Sequence, residues 1–203
     1  LSEDETIYGL DDILSSIQKA KENENIKGIY LQAGSMGAGF ASIEEIRKAL
    51  ADFKNSGKFI VAYGDQYSQH LYYLASVADK IMLNPQGSIG WDGLASTPLF
   101  YKDLLSKIGV EMQVFKVGTY KSAVEPFIST EMSPANREQV AVFLDGIWGQ
   151  MLSDISESRS VSKEKLNEVA DKMLMFYPAE DCVKYGLADT LIYKNDVRNY
   201  LKT

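Results

Sequence analysis

Two runs, KGIYLQAG at 27–34 and KFIVAYG at 58–64, are apolar without alternation and only as long as a strand. An unbroken apolar strand is buried on both faces, which requires helices above and below it. The intervening residues meet that requirement. Residues 10–22, LDDILSSIQKAKE, place Leu10, Ile13, Leu14 and Ile17 at helical spacing. SIEEIRKALADFKNSGK, 42–58, predicts a second helix with Ser42 as N-cap, Glu45 completing a capping box and Gly57 beyond its end. Helix, strand, glycine turn, helix, strand is the alternation of an α/β chain with parallel strands. With 203 residues, 45% of them hydrophobic, the chain is large enough to bury about 70% of its unfolded surface, and one domain spanning 1–203 is the simplest division.

The pattern continues downstream. DQYSQHLYYLASVAD predicts a helix, and KIMLNPQGSIG two very short strands around a Pro-Gly turn. TPLFYKDLLSKIG predicts a helix, VEMQVFKVG a strand, and SPANREQVAVFLDGIWGQMLSDISESR a long helix capped by Ser133 with Pro134 in its first turn. SKEKLNEVADKM, AEDCVKYGLAD closed by Gly186, and TLIYKNDVRNYLK supply two further helices, then a strand and a terminal helix. No fixed-period repeat or low-complexity linker interrupts them.

Charge and composition narrow the function. Twenty-eight acidic residues against twenty-one basic ones leave a net charge of −7, and the basic residues are scattered, which argues against nucleic acid as a partner. The single cysteine, Cys182, has no partner for an intramolecular disulfide and reads as a buried hydrophobe in a helix. No apolar run reaches the roughly 18 residues of a membrane-spanning helix. The opening LSEDETIYG has neither a basic nor an apolar leader region and no initiator methionine, so an internal piece of a longer protein is expected.

One histidine, His70, would have to serve any Ser-His-Asp triad, and no His-rich metal site can be assembled. Its place in QYSQHLYYL suits a capping or partly exposed helix residue. The turn GSMGAG, 34–39, lacks the lysine and hydroxyl of a phosphate-binding loop. That leaves Lys121, in VGTYKSAVEPF. A lysine serves as a general base near neutrality only if its proton affinity falls by about 3 units, roughly 4 kcal/mol. Burial against apolar groups does this, and Val117, Tyr120, Ala123, Val124, Pro126 and Phe127 surround it in sequence, with Glu125 close by to oppose the shift.

GTYKSAVEPF, continuing into MSPANREQ, resembles the lysine motif of the signal peptide peptidase A (protease IV) family, serine proteases that use a Ser-Lys dyad on a ClpP/crotonase-like fold. YYLASVADKIMLNPQGSIG is similar to the helix and strand after that family's nucleophile turn, and IKGIYLQAG with SIEEIRKAL to its earlier strand-turn-helix. The resemblance covers essentially the whole chain. It implies β-sheets of mostly parallel strands surrounded by helices, with Lys121 as the general base. The nucleophile should lie in an Ala-Ser-Gly-Gly turn before the tyrosine pair, but Ser68, Gln69, His70 and Leu71 precede Tyr72 and Tyr73, so Gln69 occupies its slot. Ser68 is one residue away, a rotation of about 100° at a helix start.

The family's long form has two copies of the fold, the first supplying the lysine and the second the serine. The resemblance therefore implies the lysine-bearing N-terminal half of a two-domain peptidase that degrades cleaved signal peptides, with no cofactor and no metal, inactive in isolation. It further implies a C-terminal catalytic domain of the same protein as partner, homo-oligomerisation, and association with the bacterial inner membrane through an anchor outside this chain, the catalytic domain on the periplasmic side. Ser88 matches a position that orients the lysine, and Gly34 and Gly37 lie in the region that donates backbone N–H groups to an oxyanion. Two other readings stand beside it: a noncatalytic assembly domain, and a crotonase-type acyl-CoA enzyme, for which GSMGAGFAS supplies no carboxylate.

Overall fold

The computed structural model describes residues 8–115, 117–118 and 120–202; the opening residues 1–7, Lys116 of the expected strand 110–118, and Thr119 of the lysine motif lie outside the described residues. The elements run α1 (Leu10–Glu22), β1 (Gly28–Gln32), α2 (Phe40–Lys54), β2 (Phe59–Tyr67), α3 (Gln69–Ala75), β3 (Lys80–Ile89), α4 (Lys102–Lys107), α5 (Glu125–Ile128), α6 (Pro134–Arg159), α7 (Lys163–Lys172), α8 (Ala179–Lys184), β4 (Thr190–Leu191) and α9 (Lys194–Tyr200). The strands form one parallel sheet in the order β1-β2-β3-β4. The chain divides into two compact units, one of residues 1–92 and 152–203, the other of residues 93–151.

In the first unit the sheet is buried on both faces, as its unbroken apolar strands require. Tyr63 and Met82, paired across β2 and β3, pack with Val61 on one face against Val197 of α9. Ile60, Ala62, Ile81 and Leu83 alternate with them and are buried on the other face. Helix α2 buries Ile43, Ile46, Arg47, Leu50 and Phe53, a stripe at helical spacing. Arg47 is buried because its guanidinium is satisfied: it donates to the Tyr73 carbonyl at 3.2 Å, the Asp154 carbonyl at 2.9 Å and the Ser158 hydroxyl at 2.9 Å. The Tyr73 hydroxyl in turn donates to the Asp154 carboxylate. This network fixes α3 to α2 and to the C-terminal turns of α6.

Several elements differ from the sequence expectation. Helix α2 begins two residues before Ser42, with Gly39 as N-cap, because Phe40 and Ala41 extend the helix without a competing side-chain oxygen. KIMLNPQGSI is one strand, not two. A register shift opposite Gly64 to Gln66 absorbs the turn residues. Gly87 makes the shift possible, since a Cβ there would stand 2.2 Å from the Asp65 carbonyl oxygen. The helix expected over 97–109 is confined to Lys102–Lys107, and the described residues of 110–118 form no strand. A strand needs a neighbour to pair with; those residues leave Val110, Met112, Phe115 and Val117 exposed instead.

Candidate functional site

In the first unit, the sequence features gather at the carboxyl ends of β1 and β2. A depression of about 280 Å³ there is lined by Leu31, Gly34, Ser35, Met36, Tyr67 and Leu71, among others. Gly34 and Gly37 are exposed, and a Cβ at either would meet nothing within 4 Å, so local packing does not demand glycine at either position. Ser68 is the N-cap of α3, its hydroxyl accepting the Leu71 N–H at 3.3 Å. Gln69 begins the helix, and its side-chain oxygen accepts the Asp92 N–H at 3.0 Å. Just before it, the Gly90 N–H donates to the Tyr67 carbonyl at 2.8 Å. The Gln69 amide thus ties the end of β3 to the start of α3. His70 is half-buried in the first turn of α3, as its sequence setting suggested. Ser88 is half-buried in β3, opposite Gln66 of β2. Burial pushes the Tyr67 phenol well above its ordinary value, and burial followed by the Asp65 charge raises Tyr30, so both remain neutral donors at physiological pH.

The second unit carries Lys121. It precedes a 3-10 turn, Ser122–Val124, that runs directly into α5. The Glu125 N–H donates to the Ser122 carbonyl and the Ser129 N–H to the Glu125 carbonyl at 2.9 Å, making 122–128 one short helical segment with Lys121 at its head. The Tyr101 N–H donates to the Pro126 carbonyl at 2.6 Å, and the Tyr101 and Phe127 rings stack with centroids 6.1 Å apart.

Among the described residues, the apolar enclosure expected around Lys121 is not formed. Lys121 is exposed, in an open depression of about 570 Å³ shared with Phe115, Val117, Tyr120, Val124 and Gln139. Phe115 and Val117 are 97% and 89% exposed. The unit as a whole buries little: among its described residues 93–151, Met151 is the one apolar side chain that is buried. The residues that make the sequence around Lys121 apolar are present, but they line one side only.

The carboxylate of Glu125, the acid close to Lys121 in sequence, is buried and accepts from the Ser133 N–H at 3.2 Å, the Ser133 hydroxyl at 2.5 Å and the Asn136 side-chain amide at 2.9 Å. Nothing in the spacing of Glu125 and Ser133 announced this contact, which depends on the chain reversing between α5 and α6.

Comparison with known proteins bears on both units. The model of peptidase family S49 matches residues 52–203. Protease 4 of Salmonella typhi is 43% identical over 184 residues, 89% of this chain and 30% of that protein, so the chain spans less than a third of that relative's length. Among solved structures, a variant of the membrane-bound stomatin-specific protease 1510-N superposes with a TM-score of 0.54 at 15% identity, covering 95% of this chain and 76% of that one. The ClpP protease catalytic domain of Plasmodium falciparum superposes at 0.51 and 10% identity, covering 91% and 78%. At these identities the structures speak to fold alone, and the fold is ClpP-like, as the sequence resemblance implied.

Proposed function

The chain belongs to peptidase family S49, and on that premise we propose that it is the lysine-bearing half of a Ser-Lys peptidase whose serine is supplied by a second domain of the same protein. The observation that carries this reading is the setting of Lys121: an exposed amine at the head of a short helical segment, bordered by exposed Phe115, Val117 and Tyr120. A surface of that composition suits coverage by another protein surface. Covering it would take water from the amine and favour its neutral form.

In the reaction so proposed, the neutral Lys121 amine takes the proton of the serine hydroxyl as the oxygen attacks the scissile carbonyl. The C–N bond then breaks, the lysine ammonium returns the proton to the leaving amine, and an acyl-serine ester remains. Water attacks the ester as Lys121 accepts its proton, the C–O bond to serine breaks, and the lysine ammonium protonates the departing serine oxygen, which frees the carboxylic acid product and restores the serine hydroxyl and neutral amine. The substrates are extended, largely apolar peptides, cleaved signal peptides first among them, and the chemistry needs no cofactor. Ser88 as a lysine-orienting hydroxyl, and Gly34 and Gly37 as part of an anion-binding turn, belong to the same proposal, as do a single domain over 1–203, homo-oligomerisation and inner-membrane association on the periplasmic side. Among the described residues no helix is long and apolar enough to cross a membrane.

The test is Lys121→Ala in the full-length protein, assayed on a peptide ester and a peptide amide. Loss of a general base lowers kcat by about 10²–10⁴-fold. A variant that keeps its peptidase activity would show this half to be an assembly domain. The isolated 203 residues should hydrolyse neither substrate.

A further inference from the structure

The buried carboxylate of Glu125, four residues after Lys121, is bonded to the start of α6, the longest helix among the described residues. We infer that Glu125 is a positioning residue for Lys121, fastening the lysine segment to the N-terminus of α6. This inference rests on Lys121 being the general base.

Glu125 is 3% exposed, and a carboxylate so buried is tolerated only when its oxygens are satisfied. One oxygen accepts the Ser133 hydroxyl at 2.5 Å; the other accepts the Ser133 N–H at 3.2 Å and the Asn136 amide at 2.9 Å. Ser133 is at the same time the N-cap of α6, its Oγ accepting the Asn136 N–H at 3.2 Å. The carboxylate therefore closes the free end of a 26-residue helix, where backbone dipoles favour negative charge. Along the chain, Glu125 is rigidly joined to Lys121, because its own N–H bonds the Ser122 carbonyl of the turn that Lys121 heads. The side chains of the neighbouring residues Val117 and Tyr120 are exposed, and the segment's other tie, from the Tyr101 N–H and ring to Pro126 and Phe127, does not reach α6. Glu125 is the only residue of 93–150 among those described, apolar or polar, that is buried. The position of the amine is thus referred to α6 through one carboxylate, and an error of about 1 Å at a reacting group costs on the order of 10²-fold in rate.

The experiment uses the full-length protein and a peptide ester. Glu125→Ala should lower kcat by about tenfold or more with KM within about twofold, while Glu125→Gln, which keeps the shape and can still accept from Ser133, should recover most of the rate. Asn136→Ala, which removes one bond from outside the lysine segment, should give a smaller loss and serves if the Glu125→Ala protein does not fold. The deciding readout is the cycle with Lys121→Ala: if Glu125 acts through the lysine, Glu125→Ala has no further effect on the residual rate of Lys121→Ala. Equal losses in both backgrounds would mean that Glu125 only maintains the fold, and wild-type kcat in both Glu125→Ala and Asn136→Ala would overturn the inference outright. Full activity in Lys121→Ala would instead remove the reading on which it rests.

Discussion

Tyr63 shows how one side chain links burial to pH. It is buried in the sheet, and its hydroxyl donates to the Asp65 carboxylate at 2.7 Å. Burial first, and that hydrogen bond to an anion second, push the phenol up to about 12 from an ordinary 10.0. Because the folded state holds the proton more tightly than the unfolded one, Tyr63's stabilisation is fully present below pH 10 and is lost as pH rises from there through 12. Urea unfolding between pH 9 and about 11.5 should therefore show falling stability, and Tyr63→Phe, which has no proton to lose, should flatten the decline. An unchanged slope in the Phe variant would remove Tyr63 as a cause. At the same scale, the sequence could nominate Lys121 and mark Gln69 as a non-nucleophile, since those are statements about chemical identity. It could not say that Gln69 accepts the Asp92 N–H or that Glu125 faces Ser133, since both contacts join segments the chain must first fold together.

Among the elements that the sequence misrepresented, β3 bears most on the site. Pro85 and Gly87 in KIMLNPQGSIG read as a break, yet the strand continues to Ile89, with Gln66 opposite Ser88 and Tyr67 opposite Ile89 after the register shift. The shift brings Ser88 opposite Gln66 and lets the Gly90 N–H reach the Tyr67 carbonyl at 2.8 Å, next to the start of α3. Gly87→Ala forces its new methyl into the Asp65 carbonyl at 2.2 Å, and backbone on both sides leaves little room to yield. A loss of about 1–3 kcal/mol in thermal or urea unfolding is expected, and an unperturbed variant would show that the shift relaxes easily. By contrast, α1 spans Leu10–Glu22 and α6 starts at Pro134 behind a Ser133 cap, as their periodicity and cap residues predicted, because those signals act within one or two turns.

Across the whole molecule the apolar residues are unevenly used. The first unit contains nearly all the buried side chains, while residues 93–150 expose Leu99, Leu104, Ile108, Phe115, Val117 and Phe143. Opening that second unit would expose little new apolar surface, so it should cost less free energy than opening the sheet. Hydrogen exchange should find amides of 93–150 faster than those of β2 and β3 by at least about tenfold, and slower in the full-length protein if a partner covers them; equal protection in the 203-residue chain would contradict this. By itself, the sequence determined the α/β alternation, the peptidase family and the identity of the candidate base, because apolar period and residue type are properties of neighbours along the chain. Only the tertiary structure decided that the amine stays exposed and that a buried carboxylate moors its segment to α6, because solvent exposure and hydrogen-bond partners are set by segments distant in sequence.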